Sequence, residues 1–403
     1  MRSLTRTARV GVFVAAGTLI AFNATAKPAA AGPWTIHEDL APVVGSDGKT
    51  YSATCSGLPG TNPEFKFWSK KGASKSLVVY FEGGGACWDK LTCTFPIGSG
   101  LPAPAPQFYV SQIDPGTNPA NYSGLFDQAN PANPVKDRSL VYIPYCTGDI
   151  HTGSATQQYF NAGNPFLPPS YTIQHRGFDN FMVVLDWIKK NFDAPKSILV
   201  AGSSAGGYGA TANFPYVADS YPNAHMYVLA DASQGVTTSA FDNGTPGRNS
   251  WNPQLPQWIF GTPPTSAPSA ELLSRAAAAY PRAKISQFTT TLDGVQVAFY
   301  GVMKAYYPPG GSCPNPAVDW NQQMIGTLNT YASDSSNFRY YLASGTYHTI
   351  MRSPLFYTEN SAGISYSSWL ASMLSNRGGT GGAGGGDWQN VACPNCTTAL
   401  SCP

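Results

Sequence analysis

The pentapeptide Gly202-Ser203-Ser204-Ala205-Gly206 places a serine among residues small enough for the chain to reverse sharply around it. On a tight strand-to-helix turn a serine hydroxyl stands exposed at the C-terminal edge of a sheet, poised for nucleophilic attack on a carbonyl carbon. The apolar run 197–201 just before it predicts the required strand, and a helix is expected from the turn to about residue 220. A phosphate-binding turn uses similar residues. Here no lysine follows as a P-loop demands, and the glycine spacing does not match G-x-G-x-x-G.

Acyl transfer by such a serine needs amide donors for a tetrahedral oxyanion, a base and an acid. Ala205, directly after the serine, offers one amide, and Gly83-Gly84-Gly85 follows a buried-strand pattern at 77–81 and can offer others. The order in α/β-hydrolase chains is serine, acid, histidine, and only His225 and His348 follow Ser204. His225 precedes every acid that could serve in that order and reads as a surface loop residue. His348 follows the last strand pattern in a turn, where it can reach the serine as general base. Two acids compete. Asp293 lies in the turn after the strand pattern at 283–288 and is favoured by chain order. Asp231 ends the strand after the nucleophile and is either the acid or a pocket residue.

The elements that would carry these residues alternate in kind. A continuous apolar, β-branched run at 76–81 predicts a strand buried on both faces, 139–144, 197–201 and 226–230 read as further strands, and 283–288 and 338–343 are the last two strand candidates. Between them, 175–192 has helical apolar spacing with Lys189 and Lys190 at its C-terminal end. The expected fold is α/β, α/β-hydrolase-like: a mostly parallel central sheet flanked by helices, with long loop insertions. Residues 33–75 read as polar and turn-rich, 95–135 as a long surface loop, and 240–280 as an insertion over the sheet's edge. The tract 378–386 is glycine-rich.

Arg2, Arg6 and Arg9, an apolar stretch over 10–22 and Ala24-Thr25-Ala26 have the pattern of a secretory signal peptide, expected over 1–26, with a second possible cut after Ala31. A catalytic domain over 33–377 and a cysteine-containing tail over 378–403 would follow. Without those three arginines the formal charge falls by three, from +2 to −1. Nothing forms the basic footprint that nucleic acid requires, and no run is long enough for a stable membrane anchor. Eight cysteines in an exported chain predict disulfides, Cys87 with Cys93 by proximity and the tail tied back to the body. Cys393-Pro-Asn-Cys396 is half of a zinc site at most, so no metal is expected, and the chemistry calls for no cofactor.

Six segments in order resemble the pectinacetylesterase/Notum family of secreted serine esterases. They are Tyr80-Phe81-Glu82-Gly83-Gly84-Gly85-Ala86-Cys87-Trp88, Ile143-Pro144-Tyr145-Cys146-Thr147-Gly148-Asp149, His175-Arg176-Gly177 with Asn180, Ala201 to Gly207, Ala230-Asp231-Ala232-Ser233 and Asp293-Gly294-Val295-Gln296. The resemblance implies a Ser204–Asp293–His348 triad, an oxyanion hole from the amides of Gly84, Gly85 and Ala205, and a Cys87–Cys93 disulfide. It implies an ester hydrolase outside the cytoplasm acting through an acyl-enzyme, with an acylated polysaccharide or another ester as substrate. Removal of acetyl or another short acyl group is the expected activity, because Gly85-Ala86 stand where the animal members carry bulky aromatics. A polyester or lipid esterase and a non-catalytic binding relative are the alternatives.

Overall fold

The computed structural model describes residues 32–98, 106–262, 266–375 and 388–402. The expected signal segment over 1–26 and the glycine tract at 378–386 lie outside the described residues. Nine strands form one twisted sheet in the spatial order Trp34–His37, Phe67–Lys70, Ser139–Ile143, Ser76–Phe81, Ser197–Ser203, His225–Asp231, Lys284–Thr290, Phe338–Ala343, Val391–Ala392. Every pairing from Ser139–Ile143 onward is parallel, and the first two are antiparallel. Leu77 to Phe81, Leu140 to Ile143 and Ile198 to Ala201 are all fully buried. Neighbouring side chains point to opposite faces, so both faces are covered. The helices that cover them include Gly177–Asn191, Ala205–Ser220, Gly294–Tyr306, Pro316–Asp334 and Tyr366–Leu374. The architecture is α/β-hydrolase-like.

The strand Ser76–Phe81 continues in sequence to a neighbour on one side, Ser139–Ile143, and the chain then crosses to its other side at Ser197–Ser203. Such a reversal opens a crevice outside the C-terminal ends of the two strands. Residues 83–85 and Ser204 both start there.

Several expectations need correction. Residues 33–75 contain two antiparallel strands of the sheet, Trp34–His37 at its edge and Phe67–Lys70 next to it, whose lengths are too short to leave a pattern. His175 ends a strand, Ser170–His175, paired with Ala155–Phe160 in a separate ribbon, and the helix starts only at Gly177. The segment 95–135 is not all surface: Tyr109, Leu125 and Val135 are fully buried beneath it. Residues 240–280 do not lie over the sheet's edge. They are the crossover between two central strands, His225–Asp231 and Lys284–Thr290, and contain the helix Leu272–Ala279.

Disulfides join Cys87 to Cys93, as expected, and also Cys55 to Cys146, Cys313 to Cys402 and Cys393 to Cys396. The tail does return to the body, through Cys402 and through Val391–Ala392 pairing beside Phe338–Ala343.

Candidate active site

Ser204 sits between the last residue of Ser197–Ser203 and the first of Ala205–Ser220, with φ 58° and ψ −125°. For a residue with a Cβ this backbone is strained and persists only where its surroundings enforce it. They do so by close packing. A Cβ at Gly206 would lie 2.0 Å from the carbonyl oxygen of Phe81, so only glycine lets the elbow press against the neighbouring strand. A Cβ at Gly83 would come within 2.8 Å of the Cβ of Ser204, so the glycine loop and the serine are in direct contact. The Ser204 amide donates to the main-chain oxygen of Asp231 at 2.7 Å.

The amides of Gly84, Gly85 and Ala205 donate to no acceptor among the described residues. Ala205 opens the helix, so its amide is one of the unpaired donors of a helix N-terminus, where negative charge is favoured. The base of the glycine loop is held by His151, whose Nε2 lies 2.8 Å from the Glu82 carbonyl oxygen. Burial lowers the His151 ring to about 4, so it is neutral and donates that bond.

His348 follows the strand Phe338–Ala343 in a turn, and its Nδ1 donates to both oxygens of Asp293 at 2.8 Å. That bond sets the tautomer and leaves Nε2 free to accept a proton. Nε2 is buried and makes no hydrogen bond. Ser204 and His348 line the same small cavity and the same groove, although no hydrogen bond joins them. Empty sites are often looser at this contact than substrate complexes.

Asp293, fully buried, caps the helix Gly294–Tyr306: its carboxylate accepts from the amides of Val295 at 3.1 Å and Gln296 at 3.0 Å. The Gln296 side chain adds a third donor at 3.0 Å, and its own oxygen accepts from the Gln234 amide at 2.8 Å. Gln296 therefore orients the Asp293 carboxylate. Its signal in sequence was its place three residues after Asp293. Asp231, the rival acid, makes no hydrogen bond to His348. It accepts instead from the Ser203 hydroxyl and from the amides of Ile350 and Met351.

Two spaces meet at Ser204. One is a mostly apolar cavity of about 70 Å³ walled by Trp88, Phe241, Trp251, Phe299 and Met303. Its wall is rigid: Trp88 and Phe241 pack edge to face, as do Phe241 and Trp251, and the Trp251 indole donates to the Cys87 carbonyl at 2.7 Å. Behind it the buried pair Arg248 and Asp242 anchors the crossover. The other space is an open groove of about 680 Å³ along Phe108, Tyr122, Phe299, Tyr347 and Arg352. Arg352 lies 4.0 Å from the Tyr122 ring centroid and pairs with Glu82. None of these wall and groove residues, apart from Trp88, left a sequence signal of its role.

Cys87, Cys93 and His175 place three metal-type ligand atoms within 4.8 Å. The two sulfurs are bonded to each other, and the His175 ring bonds the Thr147 carbonyl and the Tyr159 hydroxyl. The cluster is structural.

Among known proteins, the chain is 30% identical over 187 residues to palmitoleoyl-protein carboxylesterase notum1 of Xenopus laevis, covering 45% of this chain and 34% of that one. It is 27% identical to palmitoleoyl-protein carboxylesterase NOTUM of Mus musculus and 25% to that of Homo sapiens, each over 187 residues. The matched part thus spans about a third of the length of these relatives. The pectinacetylesterase family model matches residues 43–244, which takes in the glycine loop, Ser204 and Asp231 and stops before Asp293 and His348. Half of the chain, with the elbow and the loop that presses on it, follows that family's pattern, and the chain belongs to the pectinacetylesterase family.

Proposed function

We propose that the protein is an exported carboxylic ester hydrolase that removes acetyl or another short acyl group from a polysaccharide. The observation that carries this reading is the pairing of a small cavity and a large groove at Ser204. An apolar cavity of roughly 150 Å³ is known to hold a six-carbon ring. By that scale about 70 Å³ takes two or three carbon atoms. A palmitoleoyl chain, named for the relatives, is far larger. The groove, ten times roomier and lined by aromatic faces, suits the alcohol side of the ester, a chain too bulky to enter a cavity.

In this mechanism the Ser204 hydroxyl gives its proton to His348 Nε2 as Oγ attacks the carbonyl carbon. The negative oxygen is met by the amides of Gly84, Gly85 and Ala205. Asp293 holds the imidazolium in place, and the proton passes to the leaving alcohol. Water then attacks the acyl-enzyme with His348 as base, which releases the acid and restores Ser204. Four disulfides support the exported location. Among the described residues no helix is long and apolar enough to cross a membrane.

A second reading, a polyester or lipid esterase, is favoured by one feature. Ile97, Val295 and Leu355, all exposed, ring the groove and would suit an apolar substrate surface. The two readings part on substrate. Rates on p-nitrophenyl esters are expected to fall steeply beyond C4, and acetate should be released from acetylated pectin or xylan faster than monomer from a polyester film. Equal rates from C2 to C16 would sink the small-cavity argument. Fluorophosphonate labelling should disappear in Ser204→Ala, with hydrolysis reduced by at least about a thousandfold; persistent labelling would move the nucleophile elsewhere.

A further inference from the structure

Asp231 is fully buried at the end of the strand His225–Asp231, and no lysine or arginine pairs with it among the described residues. It touches both halves of the candidate site. On the elbow side its carbonyl accepts the Ser204 amide at 2.7 Å, and its carboxylate accepts the Ser203 hydroxyl at 2.6 Å. Ser203 Oγ in turn accepts from the Tyr80 hydroxyl at 2.9 Å. On the other side the carboxylate accepts the amide of Ile350 at 3.0 and 3.2 Å and that of Met351 at 3.0 Å.

Those two amides follow His348 by two and three residues. Before His348 the loop is fastened to other parts: the Gly294 amide to the Thr346 carbonyl at 3.0 Å and the Thr290 hydroxyl to the Tyr347 carbonyl at 2.9 Å. Between the two anchorages Thr349 has φ 68°, a left-handed conformation that a β-branched residue keeps only under constraint. On the C-terminal side of the base Asp231 is the first anchorage, and behind it the Leu125 amide donates to the Met351 carbonyl at 2.8 Å and Arg352 pairs with Glu82.

We propose that Asp231 is a positioning residue whose ionised carboxylate ties the His348 loop to the nucleophile elbow and so sets the Ser204-to-His348 approach; this rests on the serine mechanism above. Four hydrogen-bond contacts converge on one carboxylate and two of its donors are main-chain amides, which cannot turn away. Protonation would convert one accepting oxygen into a donor facing those amides. An asparagine would do the same permanently, because its NH₂ group cannot accept. The groups that face Asp231 are Tyr80 through Ser203, Tyr347, Tyr366 and His348. Burial raises the Asp231 carboxyl to about 6, against the opposing pull of Ser203, the two amides and His348. The tie is accordingly present above that pH and is lost as pH falls through it.

The test uses the full chain with p-nitrophenyl acetate from pH 4.5 to 8, and amide hydrogen exchange of the 345–352 peptide. In folded Asp231→Asn, kcat should fall about 100-fold, the loss that a misplacement near 1 Å can cause, while KM changes little. Its acid limb should become shallower, and the Ile350 and Met351 amides should exchange faster than in the wild type. Wild-type kcat and an unchanged acid limb in Asp231→Asn would overturn the proposal. So would a loss near ten-thousandfold with unchanged exchange, which is the behaviour of a triad acid. Should Asp231→Asn fail to fold, Ser203→Ala removes one donor to the ionised carboxylate, and the acid limb should move to higher pH; no movement refutes the tie. Hydrolysis that survives Ser204→Ala would instead strike at the serine mechanism, whatever Asp231 does.

Discussion

Asp231 and Asp293 are the same residue type, both fully buried and both near the histidine, yet their surroundings assign them different work. Asp293 lies at the N-terminus of a helix, takes two of its free amides and the Gln296 side chain, and spends what remains on His348 Nδ1. A carboxylate so placed is fixed by two main-chain amides and one side-chain amide and can hold an imidazolium. Asp231 makes no hydrogen bond to the ring and is ligated by a hydroxyl and two amides. The expected consequence is that Asp293→Asn turns an NH₂ group toward Nδ1, favours the wrong tautomer and lowers kcat by roughly ten-thousandfold. The folded state should survive at a cost of about 0.3–1 kcal/mol, because asparagine caps a helix about as well as aspartate and only the charge at the helix N-terminus is lost. Steady-state kinetics beside a thermal melt separate the two effects, and activity within tenfold of wild type would place the acid elsewhere.

The element that sets the size of the cavity beside Ser204 is the crossover between His225–Asp231 and Lys284–Thr290. It brings Phe241 and Trp251 against Trp88 and so closes the cavity beside Ser204. The segment is pinned at several points: Arg248 bonds the Ala267 carbonyl at 2.8 Å, and Asp242 accepts from Ser269 Oγ at 2.5 Å and Thr237 Oγ1 at 2.9 Å. Those contacts tie it to the body as a wall of the cavity. Phe241→Ala should destabilise the fold by about 3–5 kcal/mol and leave a larger cavity, since packed interiors relax only partly. Relative kcat/KM for C6–C8 over C2 esters should rise by about tenfold, as each methylene is worth roughly 1 kcal/mol or more in an apolar pocket. A chain-length profile identical to wild type would mean that the acyl group occupies the groove instead.

At the scale of the whole molecule, buried titratable groups set how the fold answers to pH. Asp149 and Asp231 are each raised to about 6 by burial, against an ordinary 3.8, and His151 and His175 are each lowered to about 4 by burial, against 6.5. Between about pH 4 and 6 the native acids hold protons that the unfolded chain has lost, so their contribution falls as pH rises. The two histidines do the opposite, since there the unfolded chain holds the protons, and their contribution rises. Two protons against two leave stability nearly flat across that window. Asp231→Asn removes one acid and uncovers one histidine, so its stability should climb by about 1.4 kcal/mol per pH unit from 4.5 to 5.5. Calorimetric melts of wild type and variant at those two pH values decide it, and parallel slopes would show that these groups do not compensate.

How much of this was legible in sequence depended on whether the signal was local. The strands Ser76–Phe81 and Phe338–Ala343 could be read to the residue, because a strand buried on both faces is mostly apolar and polar residues are confined to its exposed or edge positions, as at Ser76 and Arg339. The elbow was legible because its turn tolerates only small residues around Ser204, and Asp293, Gln296 and His348 were legible through chain order and a short motif. The edge strand Trp34–His37, the ribbon that takes in His175 and the role of residues 240–280 were not. Each depends on partners distant in sequence, and a four-residue strand or an aromatic wall leaves no period of its own. Sequence by itself determined the type of sheet, the tight turn at Ser204 and the order of the residues around it, since those follow from burial and turn geometry. Tertiary structure alone decided what the second buried aspartate, Asp231, binds and how small the space beside Ser204 is, because both are set by groups that only folding brings within contact.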